Sequence, residues 1–164
     1  MLEPTLQNIN NLARNAAPET KKLFAKLKKT KPKNLDETFE RLHDEAFETI
    51  DCLQCANCCK TTSPIFTLRD IERLAKHFKI KTSQFIDQYL HLDEDNDYVL
   101  NHAPCPFLGP DNYCSVYENR PNACREYPHT NRKKMYQILD LTLKNTYVCP
   151  AVYQVVEKLK QELK

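Results

Sequence analysis

The segment Cys52-Leu-Gln-Cys55-Ala-Asn-Cys58-Cys59 constrains this chain most, because it places four thiols within eight residues. Four further cysteines follow singly, each among turn-forming or capping residues: Cys105, Cys114, Cys124 and Cys149. A chain with this many thiols either pairs them as disulfides or uses them as metal ligands. We take all eight cysteines as candidate metal ligands and the surrounding helices as their scaffold.

The N-terminus favours ligands over disulfides. Residues 1–5 lack the basic segment and apolar core of a signal peptide. No apolar run is long enough to span a membrane, and the net charge of +2 indicates no particular nucleic-acid or membrane partner. A cytoplasmic chain is expected, and thiols in that reducing compartment act as ligands more often than as disulfides.

Composition narrows the fold class. Gly109 is the single glycine of 164 residues, so there is no Gly-rich phosphate loop and no dinucleotide-binding turn. Ten prolines suit helices that begin at Pro and are joined by short connections. We predict a mainly α, small single domain of short helices, packed around a cysteine-rich, Pro-punctuated metal-binding core with at most a short β-hairpin. Its segments are an N-terminal helical segment (1–50), a cysteine-cluster core (51–152) and a C-terminal helix (150–164).

The N-terminal segment shows helical periodicity. Apolar spacing predicts a helix over residues 5–16 and a second helix that Pro18 opens. Asn34 begins a third helix and pairs with Glu37 in a capping-box pattern. Its apolar stripe continues to Ile50, so this helix is expected to lead directly into the cysteine cluster.

Residues 20–33 are basic and contain no acidic residue. A solvated helix face is the favoured interpretation, since charge runs usually have that role. The alternative is a binding module that metal folds and that contacts RNA or protein through this basic helix.

Several local signals follow the cluster. Thr67 with Asp70 predicts a capped helix start, and Thr82 or Ser83 is expected to cap the next helix, which carries residues up to Leu90. The acidic run 93–97 lacks the Gly and Glu positions of a calcium loop, so it is interpreted as a turn before a short strand at 98–100.

The last third of the chain gives further helix starts. Gly109 and its neighbours form a turn, Pro121 opens a helical turn that carries Cys124, and Pro150 opens the final helix. Residues 133–143 fit a helix and a strand equally well.

The spacing of Cys52, Cys55 and Cys58 suits three ligands on one side of a tight turn. Ferredoxin-type loops use this spacing with a remote Cys-Pro as fourth ligand, and both Cys105 and Cys149 precede a proline. Zinc also accepts four thiolates. The cofactor is therefore an iron–sulfur cluster, such as a 4Fe–4S cluster, or Zn²⁺, with a slight preference for iron–sulfur.

Cys59 directly follows Cys58, and adjacent side chains do not easily point at one metal ion. Cys58 and Cys59 are expected to face different ways, which suggests two adjoining centres or one multinuclear centre. Eight thiolates would also need more than one cation to neutralise them. Lys60, Arg120 and Arg125 are candidate hydrogen-bond donors to the sulfur atoms.

Three histidines bear on whether the site has a base or a ninth ligand. His102 and His129 lie near cluster cysteines and could act as a base or a ninth ligand, but a solvent-facing role is favoured. His43 has no second ligand four residues away and is not counted as metal-binding. No catalytic residue is assigned.

The cysteine pattern resembles the CxxCxxCC family (YkgJ-like), whose members are described as zinc- or iron-chelating proteins. The motifs that carry the resemblance are Cys52-x2-Cys55-x2-Cys58-Cys59, Thr67-x2-Asp70-Ile71-x-Arg73, Cys105-Pro-Phe-Leu108, Cys114-Ser-Val-Tyr117, Arg120-Pro121-x2-Cys124-Arg125-x-Tyr127-Pro128 and Cys149-Pro150. The resemblance covers about residues 50–152 and implies metal chelation by the cysteines. Flagellin lysine N-methylases contain a similar cluster, which the resemblance suggests is an iron–sulfur centre. This chain is much shorter and has no loop for a methyl donor, so methyl transfer does not carry over.

The predicted function is a metal-binding protein that holds one or two centres through eight cysteines, with a structural, metal-handling or electron-transfer role. The first alternative is a redox or protein-modifying enzyme related to the methylase cluster. The second is the binding module that uses residues 20–33. Expected partners are metal ions and an unidentified protein; nucleic acid is the less favoured partner, and no membrane is expected.

Overall fold

The computed structural model describes residues 7–51, 55–61 and 63–163. The predicted ligand Cys52 lies outside these residues. The chain forms two compact units: the first comprises Met1–Cys55 with Pro128–Lys164, and the second comprises Ala56–Tyr127. The predicted mainly α class with a short hairpin is confirmed.

Helices dominate both units. In chain order, the described α-helices are α1 (Ile9–Thr30), α2 (Leu35–Phe47), α3 (Asn57–Thr61), α4 (Leu68–Phe78), α5 (Thr82–Tyr89), α6 (Asn122–Glu126), α7 (Leu139–Asn145) and α8 (Pro150–Glu162). Short 3₁₀ turns cover Tyr117–Asn119 and Met135–Gln137. Strands β1 (Leu90–Leu92) and β2 (Tyr98–Leu100) form an antiparallel hairpin in which Leu90 faces Leu100. No helix among the described residues is both long and apolar enough to cross a bilayer.

Helix α1 corrects the prediction of two helices divided at Pro18. Pro18 lies inside one continuous helix of 22 residues. A proline within a helix removes one backbone hydrogen bond and costs about 3 kcal/mol. The apolar face nevertheless continues on both sides of Pro18, with buried positions at spacings of three and four: Ile9, Ala13, Ala17, Thr20, Phe24 and Leu27. Burial of this long stripe offsets the local loss.

Helix α2 begins at Leu35 as predicted, but the expected capping box is absent. The Asn34 side chain makes no capping hydrogen bond. Instead, the Asp36 carboxylate accepts hydrogen bonds from the backbone N–H groups of Lys134 (2.7 Å) and Met135 (2.9 Å). The helix also ends at Phe47, before Ile50, so it does not run directly into the cysteine cluster.

The core of the first unit is mainly aliphatic, with Phe24 and Phe39 as its buried aromatic residues, and is built from α1, α2, α7 and α8. Its fully buried members include Phe39, Leu42, Leu139, Val152 and Leu159. Residues 133–143, which fitted either helix or strand, form the 3₁₀ turn and α7. Pro150 is the first residue of α8, as predicted.

In the second unit, one predicted helix cap is present and the other lies one residue earlier than predicted. The Thr67–Asp70 capping box at α4 is confirmed, with the Thr67 N–H donating to Asp70 at 2.9 Å and the Asp70 N–H donating to Thr67 at 3.2 Å. Helix α5 instead has Lys81 at its N-cap, and the Gln84 side chain accepts from the Lys81 N–H. Thr82 is therefore the first helical residue rather than the cap. Leu90 begins a strand and does not extend the helix.

An aromatic cluster fills the core of the second unit. Phe85, Phe78, Tyr89 and Phe107 lie with ring centroids 5.0–6.3 Å apart. Phe107 comes from the loop between Cys105 and Cys114, and both cysteines pack against this core. The hydrophobic core therefore holds the base of the cysteine-bearing loop.

Candidate metal centre

The short helix α3 carries the paired cysteines. Ala56 precedes it in the left-handed backbone conformation (φ 46°) and is buried. Because that conformation costs a non-glycine residue about 1 kcal/mol or more, the surrounding packing must hold it. The Lys60 N–H then donates to the Ala56 carbonyl at 3.2 Å, which closes the single turn that presents Cys58 and Cys59.

The two adjacent thiols interact with each other. A side-chain hydrogen bond from Cys58 lowers the pKa of Cys59 to about 7, although burial acts in the opposite direction. Cys59 therefore gains thiolate character near neutral pH, and thiolates are the form that binds metal.

The loop that carries Cys105 is tied to α3 through the main chain. The Cys105 N–H donates to the Cys59 carbonyl at 2.8 Å. This hydrogen bond fixes the start of the loop next to the paired cysteines.

The same loop returns to Cys114 through a tight turn at the only glycine. The Gly109 N–H donates to the Tyr113 carbonyl at 2.8 Å, and Leu108 and Cys114 form an isolated β-bridge. A Cβ on Gly109 would come within 2.8 Å of the Asp111 carboxylate. A side chain at this position would have to displace the Asp111 carboxylate, which accepts a hydrogen bond from the Tyr113 N–H.

Cys124 lies on α6, which starts after Pro121 as predicted. The Cys124 N–H donates to the Pro121 carbonyl at 2.9 Å. At the same end of the helix, the buried Asp70 carboxylate accepts from the Asn122 N–H at 3.2 Å. Asp70 therefore ties α4 to the helix that presents Cys124.

Arg73 makes further hydrogen bonds between α4 and the residues before α6. Its guanidinium donates to Asp70 at 2.8 Å, to the Arg120 carbonyl at 2.9 Å and to the Asn119 carbonyl at 3.3 Å. Burial by itself raises the pKa of Asp70, but hydrogen bonds from Thr67, Arg73 and Asn122 outweigh it, so the net pKa is lowered. Sequence reasoning identified Asp70 only as a helix cap and missed its second role; the signal available was Arg73 three residues later.

Four thiols of the second unit share one electrostatic environment. Burial, with a smaller contribution from nearby thiols that include Cys59, raises the pKa of Cys105 to about 11 and that of Cys124 to about 12. Burial and Cys59 raise the pKa of Cys114 as well, while Arg120 acts in the opposite direction on Cys114 and Cys124. Near neutral pH these three thiols therefore stay protonated unless a bound cation stabilises their thiolate forms.

The arrangement suits a cation that accepts several thiolates. Zinc and iron–sulfur clusters both bind four cysteine sulfurs, so the donor chemistry fits either group. Among the described residues, no three Cys, His, Asp or Glu side chains already stand in the geometry of a bound ion.

The predicted ligands divide between the two units. The second unit holds Cys58, Cys59, Cys105, Cys114 and Cys124, and all five are half-buried. The first unit holds Cys55 and Cys149, which are also half-buried. Cys149 precedes α8, and its N–H donates to the Asn145 carbonyl at 2.8 Å. The use of all eight cysteines as ligands stays a prediction.

The predicted sulfur-binding cations have backbone partners. Arg125 donates to the Glu118 carbonyl at 2.7 Å, and Arg120 donates to the Tyr117 carbonyl at 2.8 Å. The Arg120 guanidinium also lies 3.9 Å from the Tyr117 ring centroid. Of the predicted donors, Arg120 is the one whose charge acts on the cysteine thiols.

Of the two histidines expected to face solvent, His102 does so, whereas His129 is half-buried. His43 Nδ1 lies 2.6 Å from the Thr130 hydroxyl within the first unit, which is a structural hydrogen bond. His129 adopts the left-handed backbone conformation. No histidine is assigned a catalytic role.

A mainly α chain with five half-buried thiols in one small unit has the features of a cysteine-ligated metal protein. Residues 51–150 match the model of the CxxCxxCC family, which is described as a "putative zinc- or iron-chelating domain". Since this match covers well over half of the chain, the protein belongs to the CxxCxxCC family.

One relative matches over a shorter stretch. The chain is 35% identical over 75 residues to uncharacterized protein MJ0093 of Methanocaldococcus jannaschii. The match covers 46% of this chain and 49% of that relative, so it spans about half the length of each. No solved structure matches.

Proposed function

We propose that this protein holds a thiolate-ligated metal centre in its second unit, with Cys59, Cys105, Cys114 and Cys124 as the four central ligands. The observation that supports the proposal is the hydrogen bond from the Cys105 N–H to the Cys59 carbonyl, which joins the loop of Cys105 and Cys114 to α3; consistent with this proximity, Cys59 raises the pKa of Cys105, Cys114 and Cys124. Such a set gains most from a shared cation, because the cation removes the repulsion that raises the thiol pKa values.

The proposed role of the centre is to order the segment 102–127. This segment has one five-residue helix and one 3₁₀ turn, and besides Pro121 its buried apolar residues are the two larger side chains Phe107 and Val116. Burial of two side chains contributes little against the conformational entropy of about 25 ordered residues. A metal centre that joins three cysteines of this segment to Cys59 would supply the missing stabilisation.

An iron–sulfur cluster is the first candidate for the group, and Zn²⁺ is the second. Among the proposed ligands, Cys105 precedes a proline, as the remote fourth ligand of ferredoxin-type loops does, and this favours iron–sulfur. When bound, an iron–sulfur cluster would supply one-electron transfer, whereas zinc would supply structure alone. The protein's own residues would bind the group, exclude water on the side of the aromatic core and place Arg120 close to the thiolates.

The deciding experiment is metal and acid-labile sulfide analysis of protein purified without oxygen. Stoichiometric iron and sulfide with absorbance near about 400 nm would establish the cluster. A colourless protein with stoichiometric zinc and no sulfide would establish the zinc centre. Protein that retains neither metal, even after reconstitution, would contradict the proposal.

Electron transfer is separated from a purely structural role by the redox behaviour of the loaded protein. A reversible change of the cluster spectrum with dithionite and mild oxidant, without loss of iron, would support electron transfer. A centre that is destroyed on reduction would leave the ordering role alone.

A further inference from the structure

Two basic segments that are far apart in the sequence lie on one surface of the first unit. The first is the C-terminal half of α1 with the turn after it, and the second is a run of three residues almost 100 positions later. We call them together the basic surface; its members are Lys21, Lys22, Lys26, Lys28, Lys29, Lys31, Lys33, Arg132, Lys133 and Lys134. All ten side chains are exposed.

Specific contacts bring the two segments together. The Asp36 carboxylate, three residues after Lys33, accepts from the backbone N–H groups of Lys134 and Met135. Lys31 lies with its Nζ 5.1 Å from the centroid of the Tyr136 ring. These contacts hold residues 132–134 near the end of α1, so that the two basic segments adjoin there.

The positive charge of this surface is largely unbalanced. No acidic residue occurs between residues 20 and 33. Of the ion pairs formed among the described residues, only Lys28–Asp140 involves a member of the basic surface. The Asp36 carboxylate is occupied by backbone N–H groups, and Glu37 is the exposed acid at the start of α2.

The chemistry of the surface argues against a membrane. A helix that lies on a bilayer inserts an apolar face beside its basic face. The apolar face of α1 is instead buried in the first unit, where Phe24 and Leu27 are each 3% exposed.

A protein partner is also disfavoured by composition. Protein–protein interfaces are enriched in aromatic residues and arginine and are depleted of lysine. The basic surface has nine lysines and one arginine. Tyr136, its aromatic neighbour, is half-buried beneath Lys31.

We infer that the basic surface binds the phosphate backbone of a nucleic acid without reading its sequence. Compact, flexible ammonium groups bind phosphates as point charges and do not need the bidentate geometry of base recognition. The helical stretch from Lys21 to Lys31 is about 15 Å long. A duplex presents about nine phosphates over that length, enough to engage several lysines at once. The inference does not depend on the proposed metal centre, because the proposed ligands belong to the second unit.

The test measures fluorescence anisotropy of labelled 20-mer RNA and DNA, single-stranded and duplex, with the full-length, metal-loaded protein. The test variant is Lys22→Gln/Lys29→Gln/Lys133→Gln. Its matched control, Arg69→Gln/Lys76→Gln/Lys81→Gln, removes three exposed charges from the second unit. Wild-type protein should bind at 50 mM salt and lose about tenfold to a hundredfold in affinity at 200 mM. The test variant should bind at least tenfold more weakly than wild type at 50 mM salt. Its slope of log affinity against log salt concentration should also be shallower, by about one unit for each lysine that contacts a phosphate.

The outcomes separate the possible ligands. Equal binding to RNA and DNA supports recognition of the phosphate backbone. Preference for one of them identifies which nucleic acid supplies the phosphates. The triple Lys→Arg variant at the same three positions keeps the charge and should retain binding. The inference is overturned if wild-type protein does not bind at 50 mM salt, or if the control variant loses as much affinity as the test variant. Tighter binding to polyglutamate or to phosphatidylserine vesicles than to the oligonucleotides would also overturn it.

Discussion

The buried Asp70 carboxylate accepts a hydrogen bond from the backbone N–H of Asn122, the first residue of the helix that carries Cys124. Asp70 has no exposed surface, and its other partners are the Thr67 N–H and the Arg73 guanidinium. One carboxylate therefore caps its own helix and also positions a predicted metal ligand 54 positions later in the chain.

We expect Asp70→Asn to destabilise the second unit by about 1–3 kcal/mol, because an amide cannot replace a carboxylate that accepts from three donors. The affinity for metal should also fall, because α6 loses its hydrogen bond to Asp70 of α4. Urea unfolding and competition with a chelator measure the two effects. Glu72→Gln, at an exposed position of the same helix, is the matched control. Equal behaviour of the two variants would show that Asp70 does not position α6.

Single Cys→Ser substitutions at Cys59, Cys105, Cys114 and Cys124 should each lower the bound metal to less than half of the wild-type stoichiometry. A serine hydroxyl is a poor ligand for zinc or for an iron–sulfur cluster, because both prefer thiolate. Ser115→Ala, at the exposed residue after Cys114, controls for general effects of substitution in this loop. Metal content is measured by mass spectrometry after desalting. Full metal content in all four serine variants would show that these four cysteines are not the central ligands.

Removal of the metal should expose residues 102–127 to solvent while the cores of α2 and α8 stay protected. The first unit has its own aliphatic core, whereas the 102–127 segment buries few apolar side chains. Hydrogen exchange of the loaded and chelated protein, followed by peptide mass spectrometry, measures this difference. Unchanged exchange in 102–127 would show that the centre does not order this segment.

The stability of the first unit should decline as the pH falls below about 6.5. Burial lowers the pKa of His43, and the nearby carboxylates of Asp44 and Glu40 oppose that effect only in part. The unfolded chain, with an ordinary histidine pKa of about 6.5, therefore takes up its proton first on acidification. The loss should level off once the pH is below the folded-state pKa. Urea midpoints at pH 7.5 and 5.5 should differ more for the wild type than for His43→Gln, and identical differences would contradict the prediction.

Phe39→Ala should destabilise the first unit by about 3–5 kcal/mol, because Phe39 is fully buried in its aliphatic core. Leu141→Ala, at a position that is 39% exposed, should change stability by less than about 0.5 kcal/mol. Thermal unfolding followed by circular dichroism at 222 nm compares the two. Similar melting temperatures for both variants would mean that the core described around Phe39 does not hold the unit together.

Local signals in the sequence predicted the local structure well. The Thr67–Asp70 box, the proline before α6 and the proline that begins α8 were each placed correctly. These features depend on residues within one helical turn, so their spacing contains the needed information. The prediction failed at Pro18 and Asn34, where contacts with distant residues outweighed the local preference.

By itself, the sequence determined the chemistry of the candidate centre: eight thiols, a glycine-poor scaffold and a cysteine pattern typical of metal chelation. Only the tertiary structure decided which thiols share one unit, because Cys59, Cys105, Cys114 and Cys124 are separated by loops whose paths depend on packing. The structure also showed that Lys31 lies over Tyr136, that Asp36 accepts from Lys134 and that Asp70 has a partner in α6. Spacing along a helix or turn is a local property, whereas these contacts arise when distant segments bury a common core.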